Sequence, residues 1–310
     1  MSATRSTFPA PRSPRGRGRA RKGLGGRVHT APLLAPSVGL LAVWMIVPLA
    51  FTLYYSFRRF NLLNPALHGW AGWSNYWFLI KTSTLYESLL VTVVMTVAVL
   101  VLTVCLGAVF AAIFATDFGG HAVARLLMIA PFFVMPTVSA LVWKDLLMNP
   151  VNGLFSYLLR LVGLPAVDWF GHVPLLSIIL IVSWEWLPFA FLILLTALQS
   201  LDVAQLEAAH LDGAGPIAIF FNIQIPHMGR SLSVVIMMEM MFLLSIFAEI
   251  LVTTNGGPGV ATTNLTFLIY QRALLAFNVG GASAAGVIAI VLANIMTIFL
   301  VRTVAGNLDE

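Results

Sequence analysis

Long stretches of this chain show no alternation of polar and apolar positions. Residues 28–57, 88–116, 126–143 and 273–301 carry no Asp, Glu, Lys or Arg, and each meets or exceeds the roughly 18 residues that mark a membrane-spanning helix. Two further apolar runs, 174–199 and 231–252, are interrupted only by Glu185, Glu239 and Glu249. The pattern predicts an all-α integral membrane protein whose membrane domain, 31–306, holds six transmembrane helices, at about 33–57, 88–115, 125–147, 174–199, 231–252 and 281–304. Residues 202–228 break it. Asp202 is placed to cap a helix, with Gln205 three residues on to bond back, and a short helix over Val203–Leu211 follows. Asp212-Gly213 ends that helix, Gly215-Pro216 restarts the chain, and Pro226 marks the approach to the next span. A two-helix elbow this polar belongs on a membrane surface, where it can enter a partner's groove.

Composition agrees with the pattern: of 310 residues 59% are hydrophobic and 9% charged, against about 25% charged in soluble domains. The net charge of +5 gathers at one end, since residues 1–30 hold eight of the 17 basic residues in a Pro/Gly/Arg/Ser setting. This tail is expected to be disordered. Its RGRGR run could be a nucleic-acid patch, but a basic block before a long apolar helix is the usual cytoplasmic anchor, and no nucleic-acid partner is expected. A cleaved signal peptide fits poorly, because the apolar run is too long and ends in SFRRF. With both termini cytoplasmic, the elbow is cytoplasmic too, while 58–87, 144–173 and 253–282 face outward. The outer link 58–87, with Trp70, Trp73, Tyr76, Trp77 and Phe78, reads as an interfacial belt or a short surface helix. Residues 253–264, TNGGPGVATTN after their first Thr, read as an ordered turn-rich loop.

Few residues carry reactive chemistry. Cys105 has no partner, the six histidines are scattered singly, and none of the three lysines sits in a phosphate-cradling Gly-rich loop. No catalytic residues, metal or cofactor are indicated. Intramembrane carboxylates are costly, about 2.5–3.5 kcal/mol each at a helix centre, and should face a cavity or a partner. Glu185 lies between Trp184 and Trp186 with Phe189 one turn on, and Glu239 sits in MMEMMF with Phe242 beyond. Both fall near the bilayer midplane, with Glu249 ten residues beyond Glu239, or roughly 15 Å further outward on a continuous helix. Carboxylates that accept hydroxyl hydrogen bonds, beside aromatic faces that cover C–H groups, suit a neutral polyhydroxylated solute. Helix bracing by the same glutamates is the competing reading. A proton-coupled secondary transporter would also use buried glutamates, but it leaves the elbow unexplained.

The elbow, EAAHLDGAGPIAIFFNIQIP, resembles the EAA motif of binding-protein-dependent ABC importer permeases, EAAxxDGAxxxxxFxxIxLP, with Ile225 in place of Leu. LLAPSVGLLAVWMIVPLAFTLYYSF in the first helix, APFFVMPTVSALVWKDLL in the third and GGPG after the fifth are similar to the maltose-type, carbohydrate-uptake branch. The resemblance implies the type I importer permease fold and a non-enzymatic subunit of the bacterial inner membrane. It implies a second homologous permease, an ATPase dimer that binds the ATP, and an extracytoplasmic substrate-binding protein as partners. By motif position, Glu207, Ala208, Ala209, Asp212, Gly213 and Ala214 are the ATPase-coupling residues. In maltose-type relatives the sugar site lies on the helices either side of the elbow, which carry Glu185, Trp186, Phe189, Glu239, Phe242 and Glu249. Residues 247–295 most resemble permeases for sugar alcohols such as sorbitol and mannitol. Disaccharides such as trehalose or maltose, or glycerol phosphate, stay open as cargo.

Overall fold

A computed structural model describes residues 31–305, apart from Pro65, Leu67 and Asp117. The basic tail expected to be disordered lies outside these residues. The described residues begin with α1 (Ala31–Ser56). Residues up to Val47 fall in one compact unit and those from Pro48 onward in a second. In the first, Leu40, Trp44 and Met45 are exposed.

The second unit starts at the end of α1. A short antiparallel hairpin, β1 (Arg58–Arg59) with β2 (Gly69–Trp70), leads to α2 (Ser74–Lys81) and the long α3 (Ser83–Phe114). Next, α4 (His121–Ile129) and a 3₁₀ turn, Ala130–Phe133, precede α5 (Pro136–Leu141) and a π-helical stretch, Val142–Leu147. Where the apolar pattern predicts one span over 125–147, the two halves meet at 100°. Pro136 is the cause: a proline disfavours helical backbone at the residue before it, and Val134 and Met135 are extended. Then come α6 (Leu154–Leu161), α7 (Trp169–His172), α8 (Pro174–Gln199), α9 (Val203–Leu211), α10 (Pro216–Ile219), α11 (Ile225–His227) and α12 (Gly229–Leu243). The chain closes with α13 (Ala248–Thr253), α14 (Leu265–Tyr270) and α15 (Val279–Ala305). Among the described residues four helices, α1, α3, α8 and α15, are long and apolar enough to cross a membrane, and the bent pair makes up to five.

Lipid gives helices no hydrophobic reason to associate, so close contact has to hold them. The centre is the packing of α3 against α8. Gly107 allows it, because a Cβ there would lie 2.9 Å from the Ala190 Cβ. Around that contact Ala108, Ala111, Phe114, Phe191, Leu194, Met228 and Val235 form one buried cluster. A second cluster joins Met95, Val99, Ile178, Val182, Leu243, Ile250 and Phe267. At the foot of α3, Arg125 Nη2 donates to the Phe114 carbonyl at 3.0 Å, a cation on a helix C-terminus.

The run 231–252 is expected to be one helix, and here the structure differs. It breaks after α12, with Phe247 at φ −146°, and resumes as α13. The carbonyls freed by the break are taken up from downstream. Asn264 Nδ2 donates to Ile246 O at 2.6 Å and Thr266 Oγ1 to Leu244 O at 3.0 Å. Asn264 is fully buried, and its Oδ1 accepts from Phe267 N, capping α14. Leu265 N in turn donates to Thr92 Oγ1 on α3. One loop therefore fixes both sides of the interruption.

Candidate functional site

The elbow between α8 and α12 is built by its caps. Asp202 Oδ1 accepts from Ala204 N at 2.9 Å and starts α9, though Gln205 forms no return bond. At the other end Gly213 has φ +80°, a left-handed conformation that costs a residue with a Cβ about 1–2 kcal/mol. Two capping bonds depend on it: Gly213 N donates to His210 O, and Ala214 N to Ala209 O at 2.9 Å. Ala209 and Ala214 are half-buried by this closure, while Glu207, Ala208, Asp212 and Gly213 are exposed. At the base, Leu201 and Ile219 are buried, and His227 Nε2 lies 3.1 Å from Ala197 O and 3.2 Å from Ser200 Oγ. The elbow also presents Leu211, Ile217 and Phe221, which are 89%, 75% and 62% exposed. Sequence reading missed them, since apolar residues of a short helix look like ordinary packing. A cluster of exposed apolar side chains marks a contact surface.

The flanking helices meet through aromatic rings. Trp186 of α8 and Phe242 of α12 lie 5.0 Å apart by centroid, and Trp186 and Phe189 5.9 Å apart. Phe132, from the 3₁₀ turn at the bend, completes the wall at 6.0 Å from Trp186, and stacks on Phe189 at 6.1 Å. Phe132 was not legible as a site residue, because its place depends on the 100° bend. Phe132 and Phe242 are exposed, Trp186 and Phe189 half-buried.

The carboxyls are more fully buried than these rings. Glu239 is fully buried, and its Oε2 accepts from Thr103 Oγ1 of α3 at 2.5 Å while Oε1 has no partner. Glu185 is 6% exposed, with Oε1 also unpaired. Glu249 does not lie roughly 15 Å beyond Glu185, as a straight α12 would imply. The break turns α13 back against α5 and α8, which sets Glu249 beside Glu185, with Ser139 of α5 adjacent. Lys144 Nζ, donating to Val252 O at 2.9 Å, ties the far end of α13 to the same segment. A separate cavity of about 710 Å³ opens on another side of α12, lined by Met241, Ser245, Thr266, Ser283 and Gly286. No cluster of three or more His, Cys, Asp or Glu able to hold a metal exists among the described residues.

Residues 88–309 match the family described as "Binding-protein-dependent transport system inner membrane component". The chain belongs to that family. It is 31% identical over 251 residues to a probable ABC transporter permease protein of Sinorhizobium fredii, covering 80% of this chain and 81% of that one. A trehalose/maltose transport system permease protein of Thermococcus litoralis is 30% identical over 273 residues, covering 87% and 91%. An sn-glycerol-3-phosphate transport system permease protein of Agrobacterium fabrum is 27% identical over 276 residues, covering 88% and 93%. Among solved structures, a bacterial ABC transporter involved in the import of the acidic polysaccharide alginate superposes with TM-score 0.74 at 20% identity, over 88% of this chain and 94% of that chain. The fold is thus that of an importer permease, and the protein is a component of an inner-membrane transport system.

Proposed function

We propose that this chain is the permease subunit of an ATP-driven importer for a neutral carbohydrate, and that its cargo is a sugar alcohol such as sorbitol or mannitol. The observation that carries the reading is the aromatic wall formed by Trp186 and Phe189 on the helix that enters the elbow, Phe242 on the helix that leaves it, and Phe132 from the 3₁₀ turn at the bend. Ring faces cover the C–H surfaces of a polyol, and movement of the elbow reaches both halves of the wall directly. Charge supports a neutral cargo: residues 174–199 contain no Lys or Arg, and in α12 the only one is Arg230 in its first turn. An anionic solute such as a glycerol phosphate or alginate would call for cations here. The names of similar permeases span both kinds of cargo.

In this reading the exposed elbow, with Leu211, Ile217 and Phe221 as apolar anchors and Glu207 for a basic group, docks on an ATPase subunit. That subunit binds the ATP, and a second permease and an extracytoplasmic binding protein complete the assembly. The test is uptake into vesicles holding the whole assembly. Labelled sorbitol or mannitol should accumulate only with ATP, and should be displaced poorly by glycerol 3-phosphate. Best displacement by the phosphate would overturn the neutral-cargo reading. Uptake driven by a pH gradient without ATP would instead make this chain a secondary carrier.

A further inference from the structure

Helix α2 is bolted to the protein on one side and bare on the other. On its inner side Tyr76 OH donates to Ser56 Oγ at 2.7 Å, and Asn75 Nδ2 donates to Ser56 O at 2.8 Å and Arg58 O at 2.9 Å. Leu79 is fully buried against Leu265, Leu268, Ala284 and Ala285. These contacts bind α2 to the last residue of α1 and to α14 and α15. On the outer side Trp73, Trp77, Phe78 and Ile80 are 71%, 62%, 61% and 46% exposed. The cations are gathered onto the rings: Lys81 Nζ lies 5.0 Å from the Trp77 ring centroid, and Arg272 Cζ 5.4 Å from that of Phe78.

We propose that α2 lies in the plane of the membrane with Trp73, Trp77, Phe78 and Ile80 sunk at the boundary between headgroups and acyl chains. Chain geometry sets its depth. α1 ends at Ser56 and α3 begins at Ser83, so both spans reach this one leaflet surface, and the bonds from Tyr76 and Asn75 hold α2 at that level. Near these ends the two spans also expose apolar side chains, Phe51 and Tyr54 of α1 and Tyr86 and Leu90 of α3. Chemistry agrees, because indole rings with an apolar body and an N–H, flanked by Lys and Arg, partition to the interface. Arg58, Lys81 and Arg272 are placed to meet lipid phosphates. The consequence is a fixed outer frame: α2 holds the outer ends of α1 and α15 at one depth.

The depth can be measured on the full chain in phosphatidylethanolamine/phosphatidylglycerol vesicles. In a Cys105→Ala background, spin labels at Trp77→Cys and Phe78→Cys are compared with Gln205→Cys on the elbow as a water reference and Val101→Cys on α3 as an acyl-chain reference. Collision rates with oxygen and with a neutral nickel chelate should place both α2 labels about 5–10 Å below the phosphates. Nickel access equal to that at Gln205 would overturn the proposal and mark α2 as an aqueous, protein-docking face. Should the cysteine variants fail to insert, tryptophan quenching by lipids brominated near their carbonyls decides instead. Trp77→Phe should reduce that quenching, and unchanged quenching would likewise overturn it.

Discussion

Thr103 and Glu239, 136 residues apart in sequence, meet at 2.5 Å inside the bundle and join α3 to α12. Both are fully buried. Thr103 Oγ1 also lies 3.0 Å from Val99 O and 3.1 Å from Leu100 O, so its one proton has competing acceptors, and Glu239 depends on which is served. Thr103 is the carboxyl's one hydrogen-bond partner among the described residues, so Thr103→Val should cost about 1–3 kcal/mol, the penalty of an orphaned buried polar group. Replacing both, Thr103→Val with Glu239→Leu, should cost less than the two single changes together. A double-mutant cycle on thermal unfolding in detergent reads this, and a coupling below about 0.5 kcal/mol would show that the contact does not brace the helices.

Asn264 should prove the most sensitive polar residue around the break between α12 and α13. Asn264→Leu leaves Ile246 O without its donor and strips the cap from α14, losses of about 1–3 and about 1 kcal/mol. Asn294→Leu is the control, because Asn294 Nδ2 bonds Ile290 O on an exposed helix face. Equal melting temperatures for the two variants would mean that the break at 244–247 is held by something other than Asn264.

The break also shows where sequence reading stops. Residues 231–252 contain neither Pro nor Gly, so nothing local signals an interruption. The groups that stabilise it come from positions 18 and 22 residues downstream of the carbonyls they satisfy. Once α12 is taken as straight, Glu249 is misplaced, and its neighbour Glu185 cannot be inferred. The bend at Met135 was readable in principle, since Pro131 and Pro136 flank it, but the apolar run outweighed them. The elbow was legible because capping is local: Asp202 and Gly213 carry their conformations in their own chemistry. Of the candidate solute-binding side chains, Trp186, Phe189 and Phe242 come together in the structure, and the missing member, Phe132, depends on the bend.

Coupling is expected to fail in graded steps at the elbow. Gly213→Ala imposes a Cβ on a left-handed backbone, about 1–2 kcal/mol, and should weaken ATPase association by roughly tenfold without preventing insertion. Gly213→Pro, which also removes the N–H bonded to His210 O, should abolish it. Leu211→Asp and Glu207→Lys leave the caps intact and test the docking face itself. Co-purification with the ATPase in mild detergent, alongside ATP-driven uptake, provides the measure. Normal association in both Leu211→Asp and Glu207→Lys would place the ATPase contact elsewhere.

Cargo contact is separable from bracing because the two sets of residues differ in burial and in partners. The rings of Trp186 and Phe242 reach the surface, while Glu239 is fully buried and bonded to Thr103. If the rings cover a polyol, Trp186→Ala and Phe242→Ala should each raise the half-saturating solute concentration about threefold to tenfold, in line with roughly 0.5–1.5 kcal/mol per aromatic contact. Trp186→Phe should keep most of the wall. Glu239→Gln keeps an acceptor oxygen for Thr103 and should leave both stability and uptake near normal. Glu239→Ala should lower the melting temperature, with the half-saturating concentration of the surviving protein little changed. The opposite split would reverse the assignment: a Glu239→Ala protein that melts normally but needs at least tenfold more solute has lost a carboxylate that binds the hydroxyls directly, which requires the wall to open during the transport cycle. Initial rates of sorbitol and mannitol uptake at saturating ATP, measured beside thermal unfolding of the same preparations, distinguish the two roles.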